Sequence, residues 1–376
     1  SAADLGSQER LAIDYEDSEQ LAKRAEKAKR SLETDIAPVW KPLESQGVYR
    51  GTGKPGKVAF LYPGQGSQYV NMLRELYSQD PIVRETFRQA DHVMTPLLGR
   101  PLTEYIFVDS KDRKVIKAAE AKLRDTTITQ PAVLTVEVAL GRLMESYGIK
   151  PDIVIGHSLG EYGALVAAGV LPFADALQVV SARGREMTKV AFEDNGCMAA
   201  IFAPLEQVER ILPEIEGYVV LANINSRNQA VIGGATAAID EAIAIFQKAD
   251  YRAVKIPVSH AFHTQIVAPA SEPLKRIIER MDIRSPQLPI VANVTGELYP
   301  SQKDEIVDLL GRQVASPVQF VKGVETLYGE GARILVEIGP KRVLKALSED
   351  ILHDKEDVTI LFTNHPRKGT LPSLNE

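Results

Sequence analysis

The chain has 376 residues, of which 44% are hydrophobic and 25% charged, and a formal net charge of −6. This is the composition of soluble globular protein, long enough for more than one compact domain, and its acidic balance argues against general nucleic-acid binding, which draws on a basic field. One cysteine, Cys197, excludes an internal disulfide, and with six histidines it gives no sign of a zinc cage.

The opening SAADLGSQER lacks the apolar core of a signal peptide, and the longest apolar runs, such as ALVAAGVL, are too short to span a bilayer. A reducing, cytoplasmic setting is the expectation. Ser18 to Thr34 is rich in Ala, Glu, Lys and Arg and predicts an exposed helix. Gly47 to Gly56 predicts a Gly- and Lys-rich linker, so residues 1–56 are expected to form a connector.

From Lys57 the pattern changes. KVAFLY ends in Pro63-Gly64 and predicts a buried strand followed by a loop. Gln130 to Tyr147 predicts a helix, PDIVIG (Pro151 to Gly156) a second strand, and Glu161 to Ala168 another helix. Strands alternating with helices imply a parallel sheet covered on both faces. From about residue 194 to 257 the order becomes strand (MAAIFAP), helix (Leu205 to Leu212), strand pair (VVLANIN, QAVIGG), helix (Ala235 to Lys248) and strand (YRAVKIPV). That order is the ferredoxin-like signature. The α/β pattern then resumes with PIVANV, RILVEIG and VTILFT. The fold class expected is α/β: a hydrolase-like parallel-sheet core at 57–193 and 258–366, with an inserted ferredoxin-like subdomain at 194–257. Residues 367–376 are read as a tail.

Gly156-His157-Ser158-Leu159-Gly160 matches G-x-S-x-G with a strand before it and a helix after it. In that context the serine sits on a sharp strained turn, and the Leu159 amide at the helix start faces the same space. A serine nucleophile needs a base. His157 adjoins it on the turn, but neighbours there point apart. His260 and His263, in SHAFHT, lie where the inserted segment rejoins the core, a common place for a cleft. The residues themselves do not choose between these two. Pro63-Gly64-Gln65-Gly66-Ser67-Gln68 follows the first core strand, at the edge where open α/β sheets bind ligands. It lacks the Gly-Lys-Ser/Thr ending of a phosphate loop. Arg183, in SARGREM, would bring the two-donor fork that suits a carboxylate.

PGQGSQ, GHSLGEY, Arg183, LANINS, SHAFHT, SPVQF and EIGPKRVL, in this order, resemble the malonyl-CoA:acyl carrier protein transacylase family. More narrowly, they resemble acyltransferase domains of multidomain polyketide and polyunsaturated fatty acid synthases. The resemblance implies that Ser158 is the nucleophile and His263 its base, with the backbone carbonyl of Gln313 orienting the ring. It implies oxyanion-hole amides from Gln65 and Leu159, and Arg183 as the holder of the malonyl carboxylate. Gln68, Asn223 and Asn225 match polar positions around the pocket, and His157 and His260 are counted with them. HAFH resembles the malonyl-selective form, in which Phe262 crowds an α-methyl group.

The same resemblance implies malonyl-CoA and an acyl carrier protein as partners and no tightly bound cofactor, metal, nucleic acid or membrane. It also makes the segment before Gly56 similar to the connector that follows a ketosynthase domain. Carrier proteins are acidic, which points to Ser110 to Arg124 (SKDRKVIKAAEAKLR) as a docking surface. The competing reading is a serine thioesterase or esterase, which needs an acid such as Asp175, Asp194, Asp240 or Asp250.

Overall fold

The computed structural model describes residues 7–34, 39–53, 56–190 and 193–366, so the expected tail at 367–376 lies outside the described residues. The chain divides into two compact units, with the boundary between Gly56 and Lys57.

In the first unit, β1 (Glu9–Ile13) and β2 (Val48–Thr52) pair antiparallel. The helix Ser18–Thr34 lies between them in sequence. Ala28, Trp40, Leu43 and Val48 form a small buried cluster. The stretch Gly47 to Gly56, expected to be a linker, thus contains a strand. Val48 and Tyr49 are apolar positions within VYRGT that pair with β1, and the nearby glycines masked that signal.

The second unit holds two five-stranded sheets. The first is built from β3 (Lys57–Tyr62), β4 (Ile153–Gly156), β9 (Ile290–Val291), β11 (Ala332–Glu337) and β12 (Thr359–Phe362). Its order is β12-β11-β3-β4-β9, and every pairing is parallel. Ala59, Leu61, Ile153, Ile155, Val291 and Leu335 pack into one buried cluster with the flanking helices, as strands covered on both faces require. The helix Thr126–Ser146 is buried along almost its whole length. Because the strands are parallel, all their carboxyl ends leave one edge of the sheet. Tyr62 pairs with Gly156 and Leu61 with Glu337, so the PGQGSQ loop, the serine turn and the GPK turn emerge side by side.

The second sheet contains β5 (Cys197–Phe202), β6 (Val219–Ser226), β7 (Gln229–Gly234), β8 (Arg252–Ile256) and β10 (Val318–Gln319). The order β6-β7-β5-β8, all antiparallel, is ferredoxin-like. β10 returns from the core segment and pairs in parallel with Asn223 and Ile224 of β6. This fifth strand was invisible in SPVQF, because two residues carry no periodicity. Side chains alternate across β5 and β7 with period two. Ala199, Ile201, Ala230 and Ile232 enter the sheet's own helix-covered cluster. Met198, Ala200, Gln229 and Val231 face a cavity on the other side.

Close approach at the serine turn depends on glycine. A Cβ at Gly160 would fall on the Tyr62 carbonyl, and one at Gly156 on the backbone of Gly160 and Glu161. Both obstacles are backbone and cannot rotate away. Gly160→Ala is therefore expected to lower folding stability by about 3 kcal/mol or more, read as a drop in the urea midpoint. Gly329→Ala, where a Cβ meets nothing within 4 Å, should change it little.

Candidate active site

Ser158 lies between β4 and the helix Gly160–Ala167 with φ of 53°, in the left-handed region that costs a non-glycine residue about 1–3 kcal/mol. The strain is held by hydrogen bonds. The Ser158 amide donates to Asn293 Oδ1 at 2.5 Å, and Asn293 Nδ2 donates to the Gly156 carbonyl at 2.7 Å. Asn293 follows β9, so the neighbouring strand staples the turn from outside.

Ser158 Oγ is 2.6 Å from His263 Nε2. His263 also has positive φ, 60°, and its amide donates to the Val314 carbonyl at 3.0 Å. Its Nδ1 lies 3.1 Å from the carbonyls of both Gln313 and Ser316. Two carbonyls can only accept, so Nδ1 carries the proton and Nε2 is free to take one from the serine. Burial, with the Arg183 charge second, lowers the His263 ring to about 3. The resting base is therefore neutral. Among the described residues no carboxylate is bonded to this ring. Asp194 is bonded to Thr236 and Gly196, Asp240 to Lys255, and Asp175 to the Asp282 amide. Asp250 follows the helix Thr236–Lys248.

Arg183, on the helix Phe173–Lys189, is 2% exposed. It donates to Gln130 Oε1 at 3.0 Å and Gln313 Oε1 at 3.2 Å, with Ser158 Oγ 3.5 Å away. Among the described residues its Nε has no hydrogen-bond partner. Burial lowers its affinity for its proton. The buried Glu161, whose affinity for a proton burial raises, is separated from it by the Gln313 amide. Gln313 Nε2 donates to Glu161 Oε2 and to the Ser158 carbonyl, both at 2.8 Å. Glu161 Oε1 accepts from the Asn293 amide at 3.0 Å and from the Tyr299 hydroxyl at 2.6 Å.

Ser158, His263 and Arg183 line a cavity of about 300 Å³ with Gln65, His157, Asn223, Asn225 and Phe262. Gly64 backs onto the serine turn so closely that a Cβ would lie 2.5 Å from the His157 carbonyl. Among the described residues the amides of Gln65 and Leu159 donate to no protein acceptor. His157 Nε2 and Asn225 Oδ1 are 2.7 Å apart, on the floor between the two sheets.

Two expected pocket residues are elsewhere. The His260 ring is held 2.8 Å from the Val190 carbonyl and does not line the cavity, because its turn faces the end of the Arg183 helix. Gln68 Oε1 accepts from the Gly66 amide at 2.7 Å, bracing the loop from a neighbouring pocket. Asn293, Glu161, Tyr299, Gln130 and Thr126 were not anticipated. The polar TTITQ run on an otherwise apolar helix, and the Glu directly after the serine turn, were the available signals.

The acyl transferase domain family matches residues 59–367. The malonyl CoA-acyl carrier protein transacylase of Bacillus subtilis is 36% identical over 303 residues, covering 78% of this chain and 90% of that protein. The spectinabilin polyketide synthase system protein NorB of Streptomyces orinoci is 32% identical over 330 residues, 86% of this chain but only 15% of that protein. The crystal structure of the acyltransferase domain from the second module of the salinomycin polyketide synthase aligns with a TM-score of 0.80 at 31% identity, covering 98% of this chain and 81% of that one.

The depressed His263 value has a consequence for stability. Between its ordinary value near 6.5 and about 3, the unfolded chain binds a proton that the folded chain does not. Folded stability contributed by this group is thus present above pH 6.5 and lost as pH falls through that window, by about 5 kcal/mol at most. Urea midpoints measured from pH 7 to pH 4 should fall more steeply for the native chain than for His263→Asn.

Proposed function

The chain belongs to the acyl transferase domain family, and from that premise we propose that it moves a malonyl group from malonyl-CoA to Ser158 and then to the phosphopantetheine thiol of an acyl carrier protein, in polyketide or fatty acid biosynthesis. The observation that carries this reading is Arg183, a guanidinium buried beside the nucleophile with amides for partners and, among the described residues, no carboxylate. Leaving a buried charge without its counter-ion is costly. An acyl group bearing a free carboxylate supplies that counter-ion.

In the first half-reaction His263 Nε2 takes the Ser158 proton as Oγ attacks the thioester carbonyl. The free amides of Gln65 and Leu159 hold the oxyanion. The C–S bond breaks, the thiolate takes the proton from His263, and a malonyl-serine ester remains. The carrier thiol then attacks the ester, passing its proton through His263 back to Ser158 Oγ. A malonyl carboxylate on Arg183 also cancels part of the positive charge that holds His263 down, so the base strengthens as the correct acyl group binds. A base backed by two carbonyls in place of a carboxylate suits a thiol, with a pKa near 8.5, better than water, near 15.7. That favours transfer over the hydrolysis a thioesterase would catalyse.

Phe262 in the cavity wall would crowd an α-methyl substituent, at a discrimination of about 1–3 kcal/mol. Asn223, Asn225 and His157 form the polar floor for the thioester end. The helix Arg113–Leu123, capped by Asp112, exposes Lys114, Lys117 and Lys122 and is the docking surface for an acidic carrier. Residues 1–56 serve as the connector from a neighbouring ketosynthase domain, 194–257 as an insert in the 57–193 and 258–366 core. The setting is cytoplasmic, with coenzyme A and phosphopantetheine as substrates and no resident cofactor.

Intact-mass measurement after mixing with malonyl-CoA should give a malonyl adduct on Ser158 that Ser158→Ala lacks. Arg183→Ala should lower the malonyl-over-acetyl preference about hundredfold, equivalent to about 3 kcal/mol. Preference that survives that substitution would remove Arg183 from its role.

A further inference from the structure

Beside the catalytic cavity lies a second pocket of about 490 Å³, and the two share Gln65, Gly66, Ile256 and Val258 along their common wall. Its lining carries two cations, Arg124 and Lys341. Arg124 is exposed, and among the described residues its guanidinium has no carboxylate partner. Lys341 is half-buried in the turn after β11, and its Nζ donates to the Gly66 carbonyl at 2.8 Å. Its backbone has φ of 69°, which favours glycine, yet a lysine stands there. Burial and the neighbouring Arg124 charge both weaken its hold on its proton, and Glu120 on the same wall opposes them only in part. Two like charges are thus held together at a strained position, an arrangement that an anion between them would relieve.

Tyr69, Val70, Leu123 and Pro257 line the same pocket and add apolar surface to it. A thioester reacting at Ser158 must lead its pantetheine arm out of the cavity, and that arm is mostly amide and hydrocarbon, ending in phosphate. A pocket that joins the nucleophile's cavity along a shared wall and carries both apolar side chains and two cations matches those groups.

We propose that Arg124 and Lys341 form an anion subsite that takes the phosphate at the far end of the pantetheine arm. The proposal rests on the acyl-transfer reading. The shared chemistry is a phosphate ester, which reaches the site either from coenzyme A or from the phosphodiester of a carrier protein. Charge-assisted N–H donors from Arg and Lys suit it.

The test compares substrates that differ only in that group: malonyl-pantetheine, malonyl-phosphopantetheine and malonyl-CoA as donors, with pantetheine, phosphopantetheine and a holo acyl carrier protein as acceptors. The readout is the ratio of kcat/KM for each phosphorylated substrate to its unphosphorylated counterpart. Arg124→Gln and Lys341→Gln should each lower the phosphopantetheine-to-pantetheine ratio about tenfold. Lys341→Gly, which also removes the strained φ, should lower the ratio while raising the urea midpoint, and Lys341→Arg should restore part of the ratio.

A ratio that falls for phosphopantetheine identifies the phosphate common to both sources. One that falls only for malonyl-CoA against malonyl-phosphopantetheine overturns the proposal, since the cations would then meet the nucleotide phosphates and not the one on the pantetheine arm. Ratios that hold constant overturn the proposal even if every rate drops, since Lys341 would then only brace Gly66. A loss confined to the carrier protein against phosphopantetheine also overturns it, because acidic side chains of the carrier would account for that. Calorimetric binding of coenzyme A against pantetheine to Ser158→Ala reads the subsite without any chemistry. Failure of the native chain to form an acyl-serine from any donor is a separate result, and it counts against the acyl-transfer reading alone.

Discussion

Arg183 carries its charge into a buried place at the cavity wall where, among the described residues, its partners are side-chain amides and not a carboxylate. The guanidinium donates to the oxygens of Gln130 and Gln313, which soften its desolvation without neutralising it. Much of the surrounding polar structure follows from holding that charge in place. Gln313 accepts from Arg183 with one end of its amide and donates to Glu161 and the Ser158 carbonyl with the other. The buried carboxylate of Glu161 is thereby near enough to moderate the cation and too far to pair with it. Gln130 passes its own NH₂ to Thr126 Oγ1 at 2.9 Å, and Thr126 donates to Gln65 Oε1 at 2.7 Å. One chain of hydrogen bonds so joins the carboxylate-seeking cation to the loop that presents an oxyanion amide.

The two residues that meet at 2.6 Å, Ser158 and His263, each occupy a left-handed backbone conformation. Strain persists where surrounding structure over-determines it. Here the restraint comes from three directions: Asn293 beyond β9, the Gly64 loop beyond β3, and Val314, Gln313 and Ser316 beside β10. The parallel sheet makes this convergence possible, since loops far apart in sequence leave it at one edge. The ferredoxin-like sheet completes the enclosure with the faces of β5 and β7 that its own helices leave uncovered.

Much of this was legible in the residues. Apolar runs ending in glycine marked β3, β4 and β11, and the strand-helix-strand-strand-helix-strand order marked the inserted sheet. G-x-S-x-G between a strand and a helix marked Ser158. The resemblance of the ordered motifs separated His263 from His260, a distinction three residues of spacing could not make. Less legible were Asn293, Tyr299 and Gln130, whose contacts join positions far apart in the chain. The strand Val48–Thr52 hid among glycines, and β10 was too short to leave a pattern.

What the sequence determined by itself is local: hydrophobic period, turn glycines, the nucleophile's turn, and the types of side chain available for acid, base and anion binding. These depend on neighbours within a few residues, where covalent geometry and sterics act directly. Only the tertiary structure decided which side chains face the cavity. It turned His260 to a carbonyl and His263 to the serine, placed an amide between Arg183 and Glu161, and brought Lys341 onto the carbonyl of Gly66. The physical reason is burial. Desolvation, unpaired charge and backbone strain are set by what the fold packs around a group, and that environment comes from segments the linear order leaves hundreds of residues apart.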